Sequence, residues 1–341
     1  MQPGPRNLIT DIAGLRVGNA DNAELKSGTT VLVCDDAVTA SVHVMGGAPG
    51  TRETDLLAVE NTVESVDALV LSGGSAFGLD AAGGAQSALR EQGRGFEIHG
   101  LRVPITPAAI LFDLINGGDK TWGKTNPYAE LGYVATQNAA TEFELGSAGA
   151  GHGALVGGPG TGLRGGLGSA STELENGVTI GALVAVNALG APTIGNSRHF
   201  WAAPFEYGEE FGGLGTGAIP CHESHVPRIK FRDNQSQGAN TTIGIVATDA
   251  ALTKAQCKRL AIAAHDGFAR ALWPAHTPLD GDLIFVVSTG TSGAVPDMEL
   301  QIQLSAFAAS TMSRAIARGV YCAKALPGDL LPSWAKVFQR D

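Results

Sequence analysis

The 341-residue chain carries 23 Lys and Arg against 33 Asp and Glu, a net charge of −10, with 44% hydrophobic and only 16% charged residues. That length and apolar share support a sizeable core in one large or two ordinary domains and exclude a disordered chain, and the acidic balance argues against binding nucleic acid through its phosphates. The 47 glycines, about twice the usual share, follow no three-residue period, which excludes a collagen-like rod.

The first residues, MQPGPRNLIT, lack a basic region followed by an apolar stretch, so no secretory signal is expected. No run reaches the roughly 18 apolar residues of a membrane span. Cys34, Cys221, Cys257 and Cys322 are far apart and form no C-x-x-C pair, as in a cytoplasmic protein with reduced thiols.

Along the chain, residues 29–34 (TTVLVC) and 38–44 (VTASVHV) read as β-branched strands of a hairpin turning at Asp35-Asp36. A helical pattern over 55–65 leads into a buried strand at 66–71, and a glycine turn precedes a helix over 76–92. Residues 182–186 form a further buried strand that ends at Asn187. Residues 241–247 (TTIGIVA) are a strand, and Thr253-x-x-Gln256 is a capping box opening a helix with Cys257, Leu260, Ala261, Ala264, Phe268 and Leu272 on one face. A strand at 282–288 and a helix over 299–317 complete a β, α, β, α unit.

Two irregular segments interrupt this order. Residues 146–168 hold 11 glycines in 23 positions, which means either a flexible linker or a backbone that approaches something closely. Residues 215–240 are polar, contain two prolines, lack periodicity and end abruptly at a β-branched strand; such a loop is longer than usual.

Several motifs carry little. Residues 118–125 (GDKTWGKT) match the phosphate-binding pattern G-x-x-x-x-G-K-[ST], but Asn126-Pro127 follows at once and disfavours the helix such a loop must launch. A nucleotide-binding module is nevertheless one alternative function. Gly160 to Gly165 satisfies G-x-G-x-x-G without a preceding strand. Cys221-His222-Glu223-Ser224-His225 has no second cluster at zinc spacing, so no metal is expected. Ser72-Gly-Gly-Ser75 reads as a strand-to-helix turn or helix cap, not a nucleophile elbow.

Asn240-Thr241-Thr242 is different. Were the bond before Thr241 cut, one residue would bear both a hydroxyl and an α-amine, and an α-amine, titrating near ~7.7–8.0, can accept the hydroxyl proton around neutral pH. If strands 241–247 and 282–288 are neighbours joined by a helical crossover, Asp280 and Asp282 lie beside Thr241 and can orient it. Asn187, closing its strand, can donate its amide to a developing oxyanion. In isolation each has an ordinary alternative: strand threonines, an Asp-Gly turn and a turn asparagine.

Together with GGAPGTRET (46–54), LSGGSAFGLD (71–80), GGLGSAS (165–171), NTTI (240–243) and HTPLDGD (276–282), these residues resemble the self-cleaving N-terminal-nucleophile hydrolases. That family includes L-aminopeptidase/D-amidase-esterases, β-peptidyl aminopeptidases and nylon-oligomer (6-aminohexanoate) hydrolases, and the likeness runs from about residue 8 to residue 325. The resemblance implies an α/β fold of helix, sheet, sheet and helix layers, a precursor cut between Asn240 and Thr241 into chains 1–240 and 241–341, and a homo-oligomer of processed protomers. It implies a small amide or peptide substrate and no cofactor. Thr241 matches the nucleophile, Asn187 the oxyanion asparagine, and Asp280 and Asp282 the acidic pair of the nylon-hydrolase branch. The related fold of ornithine acetyltransferases makes acyl transfer the other alternative. Family members often end the segment G-A-G-x-x-A-x-x-G-K with a cationic lysine; here Gly158 stands in its place, and Arg164 is the candidate substitute, able to supply charge but not base chemistry.

Overall fold

The computed structural model describes residues 1–160, 162–218, 222, 226–230 and 240–339. Thirteen strands are formed by the described residues: β1 (Leu15–Asn22), β2 (Ser27–Val44), β3 (Thr51–Arg52), β4 (Ser65–Ser72), β5 (Phe96–Ile98), β6 (Leu101–Val103), β7 (Ala108–Ile110), β8 (Leu155–Val156), β9 (Leu163–Arg164), β10 (Gly166–Glu173), β11 (Thr179–Asn187), β12 (Thr241–Thr248) and β13 (Leu283–Ser288). The main helices are Ala81–Glu91, Tyr128–Gln137, Lys254–Ala264 and Met298–Tyr321. Nine strands join in one sheet of order β10-β11-β12-β13-β2-β4-β7-β3, with β1 also paired to β2.

Alternation along the strands divides the apolar side chains among three cores. In β12 and β13, Ile243, Ile245 and Phe285 enter an inner core with Leu32, Leu69, Leu71 and Leu183. Their neighbours Val246, Ile284 and Val286 face the helix side, packing with Leu260, Phe268, Leu304 and Met312. On the other half of the sheet Val31, Val33 and Val70 meet Ala85, Leu89 and Leu131 of the two N-terminal helices. Three cores separate four layers, giving the helix, sheet, sheet, helix sandwich. Phe285 is fully buried in the inner core, so Phe285→Ala is expected to cost about 3–5 kcal/mol, read as a thermal midpoint several degrees lower; an unchanged midpoint would show that the two sheet halves do not share this core.

Some of the glycine excess serves close packing. A Cβ on Gly168 of β10 would lie 1.8 Å from the Ala315 carbonyl oxygen, so the long helix Met298–Tyr321 sits on the sheet at a distance that no larger residue permits there.

Two predicted elements take another form. The hairpin at Asp35-Asp36 is instead one continuous strand, β2, with a register irregularity between Val33 and Val38. One edge of β2 pairs end to end with β1 and then β13, while β4 runs along the other, so the chain stays extended through its whole length. The acidic pair marks the exposed bulge, where Asp35 accepts from Arg16. The helix predicted over 55–65 shrinks to one 3-10 turn, Asp55–Leu57. The buried Lys254 ammonium takes the carbonyls of Leu56, Asn61 and Val63 at 2.8–2.9 Å, so these oxygens are not available to a helix.

Candidate active site

Thr241 opens β12, which lies between antiparallel β11 and parallel β13. The neighbouring strands inferred from sequence are therefore present, joined through the helix Lys254–Ala264. Thr241 faces Asn187 across the β11 ladder, and Asn240 bridges to Asp280 in the parallel sense. The Thr241 hydroxyl donates to the Asn240 carbonyl oxygen, and the Gly281 N–H donates to the same oxygen at 3.1 Å. A Cβ on Gly281 would stand 2.8 Å from Thr241 Oγ1 and 2.6 Å from the Ala48 carbonyl oxygen. Only glycine fits between the nucleophile candidate and the loop behind it.

Both aspartates converge here and are nearly fully buried. Asp282 accepts from the Thr242 N–H at 2.7 Å through Oδ1, and from the His276 N–H and Nδ1 at 3.1 and 2.9 Å through Oδ2. Asp280 accepts from the Leu189 N–H at 3.2 Å and from the Thr277 N–H and hydroxyl at 2.9 and 2.5 Å. Burial first, then the neighbouring Asp282, pushes the Asp280 carboxyl above its ordinary range. The loop after β2 clasps this acidic turn: Met45 and Gly46 donate to the Asp282 carbonyl and Ala48 to that of Asp280, at 2.9–3.0 Å.

Asn187 has a defined amide orientation. Its Oδ1 accepts from the Leu155 N–H at 2.9 Å and from Lys230 Nζ at 3.1 Å, while its Nδ2 donates to the Phe112 carbonyl at 2.9 Å. Exchanging oxygen and nitrogen would set two donors against each other, so Nδ2 is the donor end. Lys230 is the site residue that sequence reasoning missed. Its ammonium is buried and also donates to the Leu155 and Asn187 carbonyls at 3.0 and 3.2 Å. Burial lowers its pKa to about 7 against the opposing charges of Asp280 and Asp113. Nothing local in VPRIK (226–230) marks this lysine, because its partners lie 43 and 75 residues away in sequence.

Arg164 does not take the place of the lysine expected at 158. Its guanidinium is buried against Asp329 at 3.1 Å, the His152 carbonyl at 2.7 Å and the Ser147 hydroxyl at 3.3 Å, tying β9 to the C-terminal segment. Gly158 itself has φ +147°, a conformation in which a lysine would be strained.

The residual motifs do not converge on Thr241. The loop 118–125 launches no helix; the next begins at Tyr128, with Pro127 at its cap. Lys120 of that loop donates to the Leu25 carbonyl and Asn116. Ser72 bonds Thr29, and Ser75 is the first residue of a 3-10 turn, Ser75–Asp80, whose cap position is Gly74. Of the cluster 221–225 only His222 is described, and Thr161 of the Gly160–Gly165 motif also lies outside the described residues.

Compared with known proteins, residues 7–330 match the pattern of peptidase family S58. The chain belongs to peptidase family S58. It is accordingly an amide hydrolase. An uncharacterized aminopeptidase of Mycobacterium tuberculosis is 38% identical over 97% of this chain and 98% of its own length. A 6-aminohexanoate-oligomer endohydrolase of Kocuria is 26% identical over 84% and 76% of the two chains. The solved L-aminopeptidase D-Ala-esterase/amidase of Ochrobactrum anthropi, described as a variant of the N-terminal-nucleophile hydrolase fold, superposes with TM-score 0.66 at 20% identity, covering 99% and 96%. The S58 chain thus has that fold, and among its described residues no helix is long and apolar enough to cross a membrane.

Proposed function

We propose that this S58 hydrolase cuts its own Asn240–Thr241 bond and then hydrolyses small amides or peptides with Thr241 as N-terminal nucleophile. The observation that carries this reading is the Thr241 hydroxyl held against the carbonyl of the residue before it, at the mouth of a central strand, with Gly281 N–H on the same oxygen. Thr241 Oγ attacks the Asn240 carbonyl carbon. The C–N bond breaks, the departing nitrogen takes the hydroxyl proton, and an ester joins Asn240 to Thr241 Oγ. Water hydrolyses the ester to leave the Asn240 carboxylate and a free Thr241 amine. In turnover that amine takes the hydroxyl proton, Asn187 Nδ2 serves the oxyanion of the substrate, and Asp280 and Asp282 orient the nucleophile through their backbone bonds around Thr241.

Overall identity favours an aminopeptidase substrate, whereas the threonine and paired aspartates favour 6-aminohexanoate oligomers; both classes are proposed as amide substrates for side-by-side assay. The proposal includes a homo-oligomer of processed protomers, supported by the exposed Phe96, Ile98, Leu101 and Val103 on the β5–β6 hairpin. It also includes a cytoplasmic location, in keeping with the free thiols of Cys34, Cys257 and Cys322.

Denaturing mass spectrometry of the purified protein is the test. Chains 1–240 and 241–341 are expected, together with release of amine from amino-acid amides; one intact and fully active chain would sink the mechanism. Net transfer of the acyl group to an added amine, without hydrolysis, would favour the acyltransferase alternative.

A further inference from the structure

We infer that Lys230, at the end of the segment 226–230, is a positioning residue that holds the Asn187 amide in its oxyanion-donating orientation. The inference rests on the function proposed above. An asparagine side chain has two nearly isosteric faces, and only the one presenting Nδ2 can stabilise a developing negative charge. The Leu155 N–H already selects that face with one bond, and Lys230 Nζ adds a charged donor to the same Oδ1 at 3.1 Å. Nζ also spans the Asn187 carbonyl at 3.2 Å and the Leu155 carbonyl at 3.0 Å, so one ammonium clamps the end of β11 to β8. Charged donors make the stronger hydrogen bonds, which suits a group that must not rotate during turnover.

The backbone is built to admit this lysine. Lys230 N–H donates to the Leu189 carbonyl at 3.0 Å, two residues beyond Asn187. A Cβ on Gly157 would stand 2.1 Å from the Arg228 carbonyl oxygen, so that glycine leaves room for the segment 226–230 to lie beside β8 and β11. Two carboxylates face the ammonium: Asp280, from the turn before β13, and Asp113, from the segment after β7. Asp113 is itself engaged by Ser27 at 2.6 Å and by the Gly74 N–H at 2.7 Å, and it also feels the charge of Lys120. Cleavage adds one like charge, the protonated Thr241 amine.

Burial lowers the Lys230 pKa to about 7, so the charged clamp is complete below that pH and weakens as pH rises through it, when the amine loses its charge and one donor. An alkaline fall in kcat that Lys230→Arg removes is the expected signature of this clamp.

Four measurements test the inference on the processed full-length protein with an amino-acid amide substrate. Lys230→Met is expected to lower kcat by about 10- to 100-fold, the worth of a charged hydrogen bond, at nearly constant KM. Its thermal midpoint is expected to fall, because three buried oxygens lose a donor and Asp280 and Asp113 lose an opposing charge, so kcat is read per folded molecule. In an Asn187→Ala background the same change should cost less than about threefold, since its effect is transmitted through that amide. Lys230→Arg, whose charge does not titrate, should retain activity within about tenfold and lose the alkaline limb of the kcat profile.

A Lys230→Met enzyme with wild-type kcat, or one equally impaired with and without Asn187, overturns the inference. So does a lowered midpoint with kcat per folded molecule unchanged. Should Lys230→Met not fold, the Arg variant decides, and an alkaline limb persisting there at the same pH overturns it. Absence of the 1–240 and 241–341 chains in the wild-type protein would instead overturn the proposed function, so the two failures are distinguishable.

Discussion

Thr241→Ala is expected to remain a single 341-residue chain with amide hydrolysis at least about 10⁴-fold below that of the processed protein, because the proposed mechanism gives one atom both the cut and the turnover. The methyl group keeps the strand geometry but removes the oxygen held against the Asn240 carbonyl. Its neighbour provides the control. Thr242 points to the opposite face of β12, and what it gives Asp282 is its backbone N–H at 2.7 Å. Thr242→Val keeps that donor and should process normally. Thr241→Ser should process as well, since it restores the oxygen. Mass spectrometry of the four proteins reads the outcome directly: a cleaved Thr241→Ala chain, or an uncleaved Thr242→Val chain with a wild-type melting curve, would move the cut away from Asn240–Thr241.

Asn187→Asp is expected to process but to turn over about 10²- to 10³-fold more slowly, the usual cost of one oxyanion donor. Aspartate still offers an oxygen to the Leu155 N–H and Lys230 Nζ, so the β8–β11 contact survives. At the other position it places an oxygen where Nδ2 stood, facing the Phe112 carbonyl. Self-cleavage is less affected because the scissile carbonyl takes its hydrogen bond from Gly281. Steady-state kinetics with a chromogenic amide separate the cases. A kcat within threefold of wild type would exclude Asn187 as the oxyanion donor, and a parallel loss of processing would assign it to both reactions.

What was legible in the sequence was local. Thr241, Asp280 and Asp282 stood out because a loop met a β-branched strand and one short crossover brought the next strand's approach alongside. Asn187 followed from ending an apolar run, and its pairing with Thr241 came from strand register. The misread elements depend on distant partners. Asp35-Asp36 resembles a turn until β1 and β13 are seen to share one edge of β2. Residues 55–65 resemble a helix until Lys254, almost two hundred residues later, captures their carbonyls. Lys230 was hidden for the same reason: its fully buried ammonium is defined by strands far upstream, whereas VPRIK by itself reads as a solvated basic stretch. Arg164 is the converse case, a cation near in sequence whose partner, Asp329, lies toward the other end of the chain.

The place of β12 within the sheet bears on how the protein ages. Residues 241–341 contribute two adjacent strands wedged between β11 and β2. Were the Asn240–Thr241 bond cut as proposed, the new terminus would remain stitched on both sides, so the nicked molecule should migrate as one body under native conditions. Unfolding would then become a one-way event. The larger fragment, on its own, would expose the long edges of β11 and β2, which invite aggregation, and the smaller fragment would have no sheet to join. On the proposed cleavage, the lifetime of the processed protein would be governed by how slowly it opens rather than by an equilibrium with its unfolded chains, and the instructions for folding would be spent when the precursor is cut.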